Sequence, residues 1–171
     1  GLLRQRFGFQ RWSDYDSKLF ETLVDEANKA RRQDAVSSIL AFDRDPKMIA
    51  IAKENIERAG LKAHIHLETS DFFTREESSS SSGTVIMNPP YDERLPIEDM
   101  AHFCSQIGQQ LKKKYVGWTA FVLMGNKDAA REMGLKVERK WDLFNGALEC
   151  ELLEFSLNEN AIASDQFEEA L

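Results

Sequence analysis

Apolar and polar positions follow two different periods along the chain, and the two periods take turns. Segments with apolar residues three and four apart predict helices over residues 16–30, 45–60, 96–113 and 126–133. Short apolar runs between them predict strands over residues 36–42, 64–67, 84–87, 118–124, 136–143 and 147–157. Alternating helices and strands predict an α/β fold in a single domain, residues 1–157, followed by an acidic tail, residues 158–171.

Turn and cap residues mark several of these boundaries. Asp45 is a suitable N-cap, Pro46 is favoured at the first helical position, and Gly60 is suited to end that helix. The pair Asn145-Gly146 predicts a hairpin between the last two strands. We expect Asn145 to be the left-handed residue of that turn.

These elements predict a mostly parallel sheet with helices on both faces and a terminal antiparallel hairpin. Ligands bind such sheets outside the carboxyl ends of the strands. Asp43, Asp71 and Asn88 each follow a predicted strand. We therefore expect these three side chains to converge on one edge.

The tetrapeptide Asn88-Pro89-Pro90-Tyr91 is the strongest chemical signal in the chain. Two consecutive prolines cannot continue a strand or a helix, so they predict a rigid loop whose carbonyl groups are free to accept hydrogen bonds. The flanking residues add an amide and an aromatic ring. This set of groups is suited to holding a planar amino group.

Composition excludes several classes of protein. The net charge of −7 argues against a broad, non-specific nucleic-acid surface, although not against a nucleic-acid substrate. No apolar stretch approaches the roughly 20 residues needed to span a membrane. No spacing of cysteine and histidine indicates a metal site. Cys104 and Cys150 are expected to be reduced core residues of a cytoplasmic protein.

Three segments together resemble a known enzyme family. The run Met87-Asn-Pro-Pro-Tyr-Asp-Glu-Arg-Leu95, the segment Phe7-Gly-Phe-Gln-Arg-Trp12 and the segment Asn145-Gly-Ala-Leu-Glu-Cys150 are similar to the THUMP-domain-containing 23S rRNA guanine-N2 methyltransferases of the RlmL type. The resemblance extends to about Leu157. It implies a Rossmann-like class I methyltransferase that uses S-adenosylmethionine.

The resemblance also implies where the cofactor binds. Asp43 would accept hydrogen bonds from the ribose hydroxyls, and Arg44 would lie beside the adenine. Asp71 would bind the adenine amino group, and Phe72 would stack on the ring unless it is simply a core residue. Asn88 would contact the cofactor at the reacting end.

In the same family the tetrapeptide would hold the target amine. The Asn88 side-chain oxygen and the Pro89 carbonyl would accept hydrogen bonds from the amine, with Pro90 keeping the loop rigid. Tyr91 would stack on the target base. Three further residues are candidates for substrate contact: Glu93 and Arg94, which could instead form an ion pair on the loop, and Asn145, for which the turn role is preferred.

The glycine pattern departs from the family. No two of the nine glycines form a G-x-G, so the sequence lacks the first strand and the glycine-rich loop expected of a class I methyltransferase. We expect these parts, and an N-terminal RNA-binding region, to precede Gly1 in a longer protein. The missing strand would lie between the strands that end at Asp43 and Met87. Without it those strands cannot pair directly, unless the two half-sheets rearrange or take a strand from another copy of the chain.

The sequence therefore predicts transfer of a methyl group from S-adenosylmethionine to the N2 amine of a guanine in 23S rRNA. The alternatives are a DNA adenine-N6 or protein glutamine-N5 methyltransferase, and an inactive methyltransferase-like RNA-binding module. Inspection of the upstream coding sequence for a strand and a glycine-rich turn would help to separate the last of these from an enzyme.

The 171-residue chain by itself is expected to bind the cofactor poorly and to show no useful turnover, because half of the cofactor's expected binding surface is absent. Isothermal titration calorimetry with S-adenosylmethionine measures this directly. Micromolar binding by the chain would contradict the expectation.

Overall fold

The computed structural model describes residues 6–30, 39–75, 82–90, 97–125 and 127–158. The chain forms two compact units, Gly1–Phe72 and Phe73–Leu171. The predicted tail lies outside the described residues except for Asn158. No described helix is long and apolar enough to cross a membrane.

The helices of the first unit begin and end at the predicted caps. Helix α1 spans Ser17–Lys29, and the Asp16 carboxylate accepts a hydrogen bond from the Leu19 amide at 3.0 Å. Helix α2 spans Pro46–Ala59, with Asp45 as its N-cap. Gly60 ends α2 with a φ of +68°, a left-handed conformation that glycine adopts at little cost.

Helix α2 connects the two strands of a parallel sheet. Strand β1, Ile39–Asp43, pairs with strand β2, Ile65–Thr69, in the register Ile39↔Ile65 through Asp43↔Thr69. Strand β1 ends at Asp43, which still pairs with Thr69 across the ladder. The start predicted at residue 36 lies outside the described residues.

The second unit contains a four-stranded mixed sheet. Its elements are β3 (Thr84–Met87), α3 (Ile97–Lys114), β4 (Thr119–Met124), α4 (Lys127–Arg131), β5 (Val137–Asn145) and β6 (Leu148–Ser156). The strand order is β3-β4-β6-β5, with β3 parallel to β4 and the other neighbours antiparallel. The predicted terminal hairpin is thus present, whereas α4 is shorter than the predicted 126–133.

The buried residues of the second unit come mainly from α3, β4 and β6. On α3 they recur at helical spacing, as the sequence predicts: Met100, Cys104, Ile107 and Leu111. Alternate residues of β4 and β6 supply the opposite part of this core: Ala120, Val122, Met124, Leu153 and Phe155. These buried residues lie in the unit whose sheet carries the loop after β3.

The hairpin turn differs by one residue from its prediction. Asn145 is the last residue of β5 and pairs with Leu148, so the two turn residues are Gly146 and Ala147. Gly146 has a φ of +67°, and the left-handed position therefore belongs to the glycine rather than to Asn145. This placement shifts the register of the hairpin, so that Asn145 faces Leu148 and Phe144 faces Glu149.

The described strands form two sheets, β1-β2 in the first unit and β3-β4-β6-β5 in the second. Each sheet is parallel where a helix connects its strands, as chain connectivity requires.

Gly108 is a position of α3 that leaves no room for a larger residue. A Cβ atom added there would overlap the backbone carbonyl of Met133, which cannot rotate away as a side chain could. We expect Gly108→Ala to lower the free energy of unfolding by about 2 kcal/mol or more, despite the better helix propensity of alanine. Urea unfolding followed by circular dichroism measures the change.

The matched control is Gln109→Ala, on the exposed side of the same turn of helix. It should change stability by less than about 0.5 kcal/mol. Equal stability of the two variants would show that the backbone at Met133, just after α4, shifts freely and that the contact at Gly108 is not a constraint.

Candidate active site

Asp43 lies at the carboxyl end of β1 and takes part in the turn that starts α2. One oxygen, Oδ1, accepts a hydrogen bond from the Asp45 amide at 2.8 Å, and Asp45 in turn accepts one from the Lys47 amide at 2.8 Å. The side chain of Asp43 is exposed, and its other oxygen has no hydrogen-bond partner among the described residues. Capping and ligand binding are therefore compatible at this carboxylate.

The other predicted cofactor residues of the first unit lie after the same two strands. Arg44 follows β1 and is exposed. Asp71 and Phe72 come two and three residues after the end of β2, and both are half-buried. Because β1 and β2 are parallel and end in the register Asp43↔Thr69, these three residues follow the carboxyl ends of paired strands, and Asp43 is the last residue of β1.

The predicted reactive loop begins at the carboxyl end of β3, in the second unit. Met87 is the last residue of the strand, Asn88 is exposed, Pro89 is buried and Pro90 is exposed. The burial of Pro89 fixes the loop to the body of the unit, while the Asn88 side chain faces solvent. Asn88 makes no hydrogen bond to another described residue.

Three predicted substrate residues, Tyr91, Glu93 and Arg94, lie outside the described residues. Asp43 and Asp71 belong to the first unit and Asn88 to the second. The convergence of these three side chains on one edge thus stays a prediction.

The hairpin beside this loop is held by charged pairs across its two strands. Lys140 Nζ lies 3.1 Å from Glu151 Oε1, and Arg139 Nε lies 2.9 Å from Glu154 Oε2. The hydrogen bond with Glu151, followed by the attraction of the carboxylates of Glu151 and Asp142, raises the pKa of the Lys140 amine. Glu151 is buried, and its pairing with Lys140 compensates for removing a carboxylate from water.

The hairpin tip bears a pocket that the sequence did not predict. A cavity of about 290 Å³ is lined by Asp142, Leu143, Phe144, Glu149 and Cys150. Phe144 is 71% exposed, an unusual state for a phenylalanine next to a turn. The signal available in the sequence was an aromatic residue directly before Asn145-Gly146, between two carboxylates.

The two cysteines belong to the buried part of the second unit. Both are buried and free, as the sequence predicted. Burial, with a smaller contribution from Glu132, raises the pKa of the Cys104 thiol to about 11, so it is protonated at neutral pH and a poor nucleophile. Among the described residues no group of three or more histidine, cysteine, aspartate or glutamate side chains could hold a metal ion.

Comparison with known proteins gives a consistent result. Residues 1–154 match the model of a family described as RMKL-like, methyltransferase domain. The ribosomal RNA large subunit methyltransferase K/L of Syntrophotalea carbinolica is 34% identical over 165 residues, which are 93% of this chain and 23% of that protein. A Synechocystis protein assigned as an RNA methyltransferase is 34% identical over 92% of this chain and 41% of its own length. The chain thus spans less than half the length of these relatives.

The solved structures give the fold. SMU.472, assigned as a methyltransferase and solved as a complex with SAH, superimposes with a TM-score of 0.75 at 27% identity. The match covers 90% of this chain and 41% of that chain. The predicted class I methyltransferase fold is confirmed.

Proposed function

This chain belongs to the RMKL-like methyltransferase domain family, and we propose that it forms the catalytic part of an S-adenosylmethionine-dependent RNA methyltransferase. The observation that supports this most is the loop after β3, where an exposed asparagine precedes a buried proline. Relatives named for ribosomal RNA methylation support an RNA substrate. The finer proposal is the N2 amine of a guanine in 23S rRNA, which is a cytoplasmic substrate.

The chemistry requires alignment more than acid–base catalysis. The methyl group of a sulfonium is already activated, so the protein has to hold the exocyclic amine in line with it. The Asn88 side-chain oxygen and the Pro89 carbonyl would accept hydrogen bonds from that amine. These contacts favour a more tetrahedral nitrogen and stabilise the positive charge that develops on it.

The cofactor is proposed to bind after β1 and β2. The second oxygen of Asp43 is available to the ribose hydroxyls, and the exposed Arg44 follows it in the chain. Asp71 can accept a hydrogen bond from the adenine amino group, and the half-buried ring of Phe72 offers a flat apolar surface. Glu93, Arg94 and Tyr91 remain candidates for substrate contact.

Replacing Asn88 tests the reactive loop. In the full translation product of the gene, Asn88→Ala should reduce the rate of methyl transfer to rRNA roughly 10²- to 10³-fold, because a charge-stabilising acceptor is lost. Transfer of labelled methyl groups from S-adenosylmethionine measures the rate. Activity within about tenfold of wild type would contradict the assigned role.

The control for this variant is Asn158→Ala. Asn158 is also an exposed asparagine, but it lies after the end of β6, where its Nδ2 atom donates to Ser156 Oγ at 3.0 Å. Ser156 pairs with the first residue of β4, at the edge opposite the reactive loop. The rate of Asn158→Ala should equal that of wild type.

Asp43 and Asp45 form a matched pair for testing the cofactor site. Both variants lose one cap hydrogen bond at the start of α2, so Asp43→Ala and Asp45→Ala should destabilise by similar amounts, about 1 kcal/mol. Only Asp43→Ala should also weaken S-adenosylmethionine binding, by roughly tenfold or more, because hydrogen bonds to a carboxylate are lost. Calorimetry on the full translation product separates the effects, and equal affinities would contradict the assignment.

The identity of the modified group is settled by mass spectrometry. Purified rRNA, DNA and a release factor, which serves as the protein glutamine substrate, are incubated in separate reactions with the enzyme and labelled cofactor. We expect the label on a guanine of rRNA. Label on DNA adenine or on a glutamine would replace the proposed substrate.

A further inference from the structure

The hairpin of β5 and β6 extends beyond the strands that carry the reactive loop. Strand β4 pairs with β6 as far as Met124↔Glu151. Three further residue pairs, Leu143↔Cys150, Phe144↔Glu149 and Asn145↔Leu148, continue the hairpin alone. At 3.4 Å per residue this projection is roughly 10 Å long.

The projection lies at the same edge of the sheet as Asn88. Strand β4 is parallel to β3, and Met87, which precedes Asn88, pairs with Val122. Val122 in turn pairs with Leu153 of β6. The lower-numbered residues of β6 therefore run past the carboxyl ends of β3 and β4, on the side where the reactive loop begins.

The pocket on this projection combines an aromatic ring with carboxylates. Phe144 and Glu149 are direct cross-strand partners, so their Cβ atoms are about 5 Å apart on one face of the hairpin. Asp142 lies on the same face as Phe144, two residues away along β5. Leu143 and Cys150, the neighbouring cross-strand pair, also line the cavity, although their side chains alternate to the other face of the hairpin.

These groups match a nucleobase better than a nucleic-acid backbone. An exposed phenylalanine ring offers a stacking surface to an unpaired base. Carboxylates accept hydrogen bonds from exocyclic amino groups, as they do from the N4 group of cytosine, and they repel phosphate. A base that carries an amino group therefore fits the pocket, with its sugar and phosphate directed away.

We propose that this hairpin pocket binds a second, unpaired base of the RNA substrate, next to the base that is methylated, a role that rests on the proposed function. Phe144 stacks on that base and Glu149 accepts a hydrogen bond from its amino group. The pocket thereby positions the RNA and contributes to its selection, without contacting the reacting atoms.

Substitution of Phe144 distinguishes RNA binding by the pocket from catalysis at the reactive loop. In the full translation product, Phe144→Ala should raise KM for the RNA substrate roughly five- to a hundredfold, the range for loss of one base stack. The kcat at saturating RNA should stay near wild type, because the reactive loop is intact. Phe144→Tyr keeps the ring and should restore a KM close to that of wild type.

Val116→Ala is the matched control. Val116 is 41% exposed and lies in the turn before β4, at the opposite edge of the sheet. Its KM and kcat should both equal those of wild type. A wild-type KM in Phe144→Ala, with an active wild-type enzyme, overturns the proposal.

Glu149→Met tests base selection by a binding measurement that does not require methyl transfer. Fluorescence anisotropy compares short oligomers of cytidine, adenosine and uridine, of which only uridine lacks an exocyclic amino group. Wild type should prefer the first two, and Glu149→Met should lose that preference. Equal binding of all three by wild type overturns the selection role.

The same binding measurement keeps the two proposals distinguishable. An enzyme that methylates no RNA would refute the proposed function. In that case the anisotropy of Phe144→Ala still decides whether the pocket binds a base. An oligonucleotide affinity equal to that of wild type would refute base binding by the pocket, whatever the enzyme methylates.

Discussion

The pairing of β4 with β6 is the interaction on which the second unit depends. Six residue pairs run from Thr119↔Ser156 to Met124↔Glu151, and the side chains on one face of this ladder are buried. Because β4 is parallel to β3 and antiparallel to β6, one strand sets two positions. It fixes where the reactive loop begins and where the hairpin projects.

That arrangement would suit the proposed methyl transfer, which depends on how the target amine is positioned. Pro89 is buried and Asn88 is exposed, so a rigid anchor and a free amide are consecutive in the chain. The conformational entropy of the loop is reduced before a substrate binds, because each proline has a fixed φ. The Lys140–Glu151 ion pair links the two strands of the hairpin. Glu151 is adjacent in the chain to Cys150, where the projecting part of the hairpin starts.

Local chemistry explains which parts of the fold could be predicted from the sequence. Asp45, Pro46 and Gly60 mark α2 to the residue, because caps act within a single turn. Helix α4 ends earlier than predicted, at Arg131, because its pattern is too short for periodicity to set a boundary. The hairpin turn was displaced by one residue because Asn145 and Gly146 can each adopt the left-handed conformation.

The candidate site was predicted in part for the same reason. Asp43 and Asn88 stand at strand ends, which periodicity identifies, and the family resemblance supplied their roles. The pocket with Phe144 and Glu149 depends on cross-strand register, since these residues meet only when β5 and β6 are aligned. A one-residue error in the position of the turn places different residues opposite one another. This pocket therefore could not be predicted from the sequence alone.

The distribution of buried side chains differs sharply between the units. All buried residues among those described belong to the second unit, and none belongs to the first. Apolar burial is the main source of local stability, so opening free energies should be high along β4 and β6 and low along β1 and β2. Backbone amides of the chain would then exchange with solvent in two classes. The ladder beside the reactive loop would form the slow class, and the strands proposed for the cofactor would form the fast one.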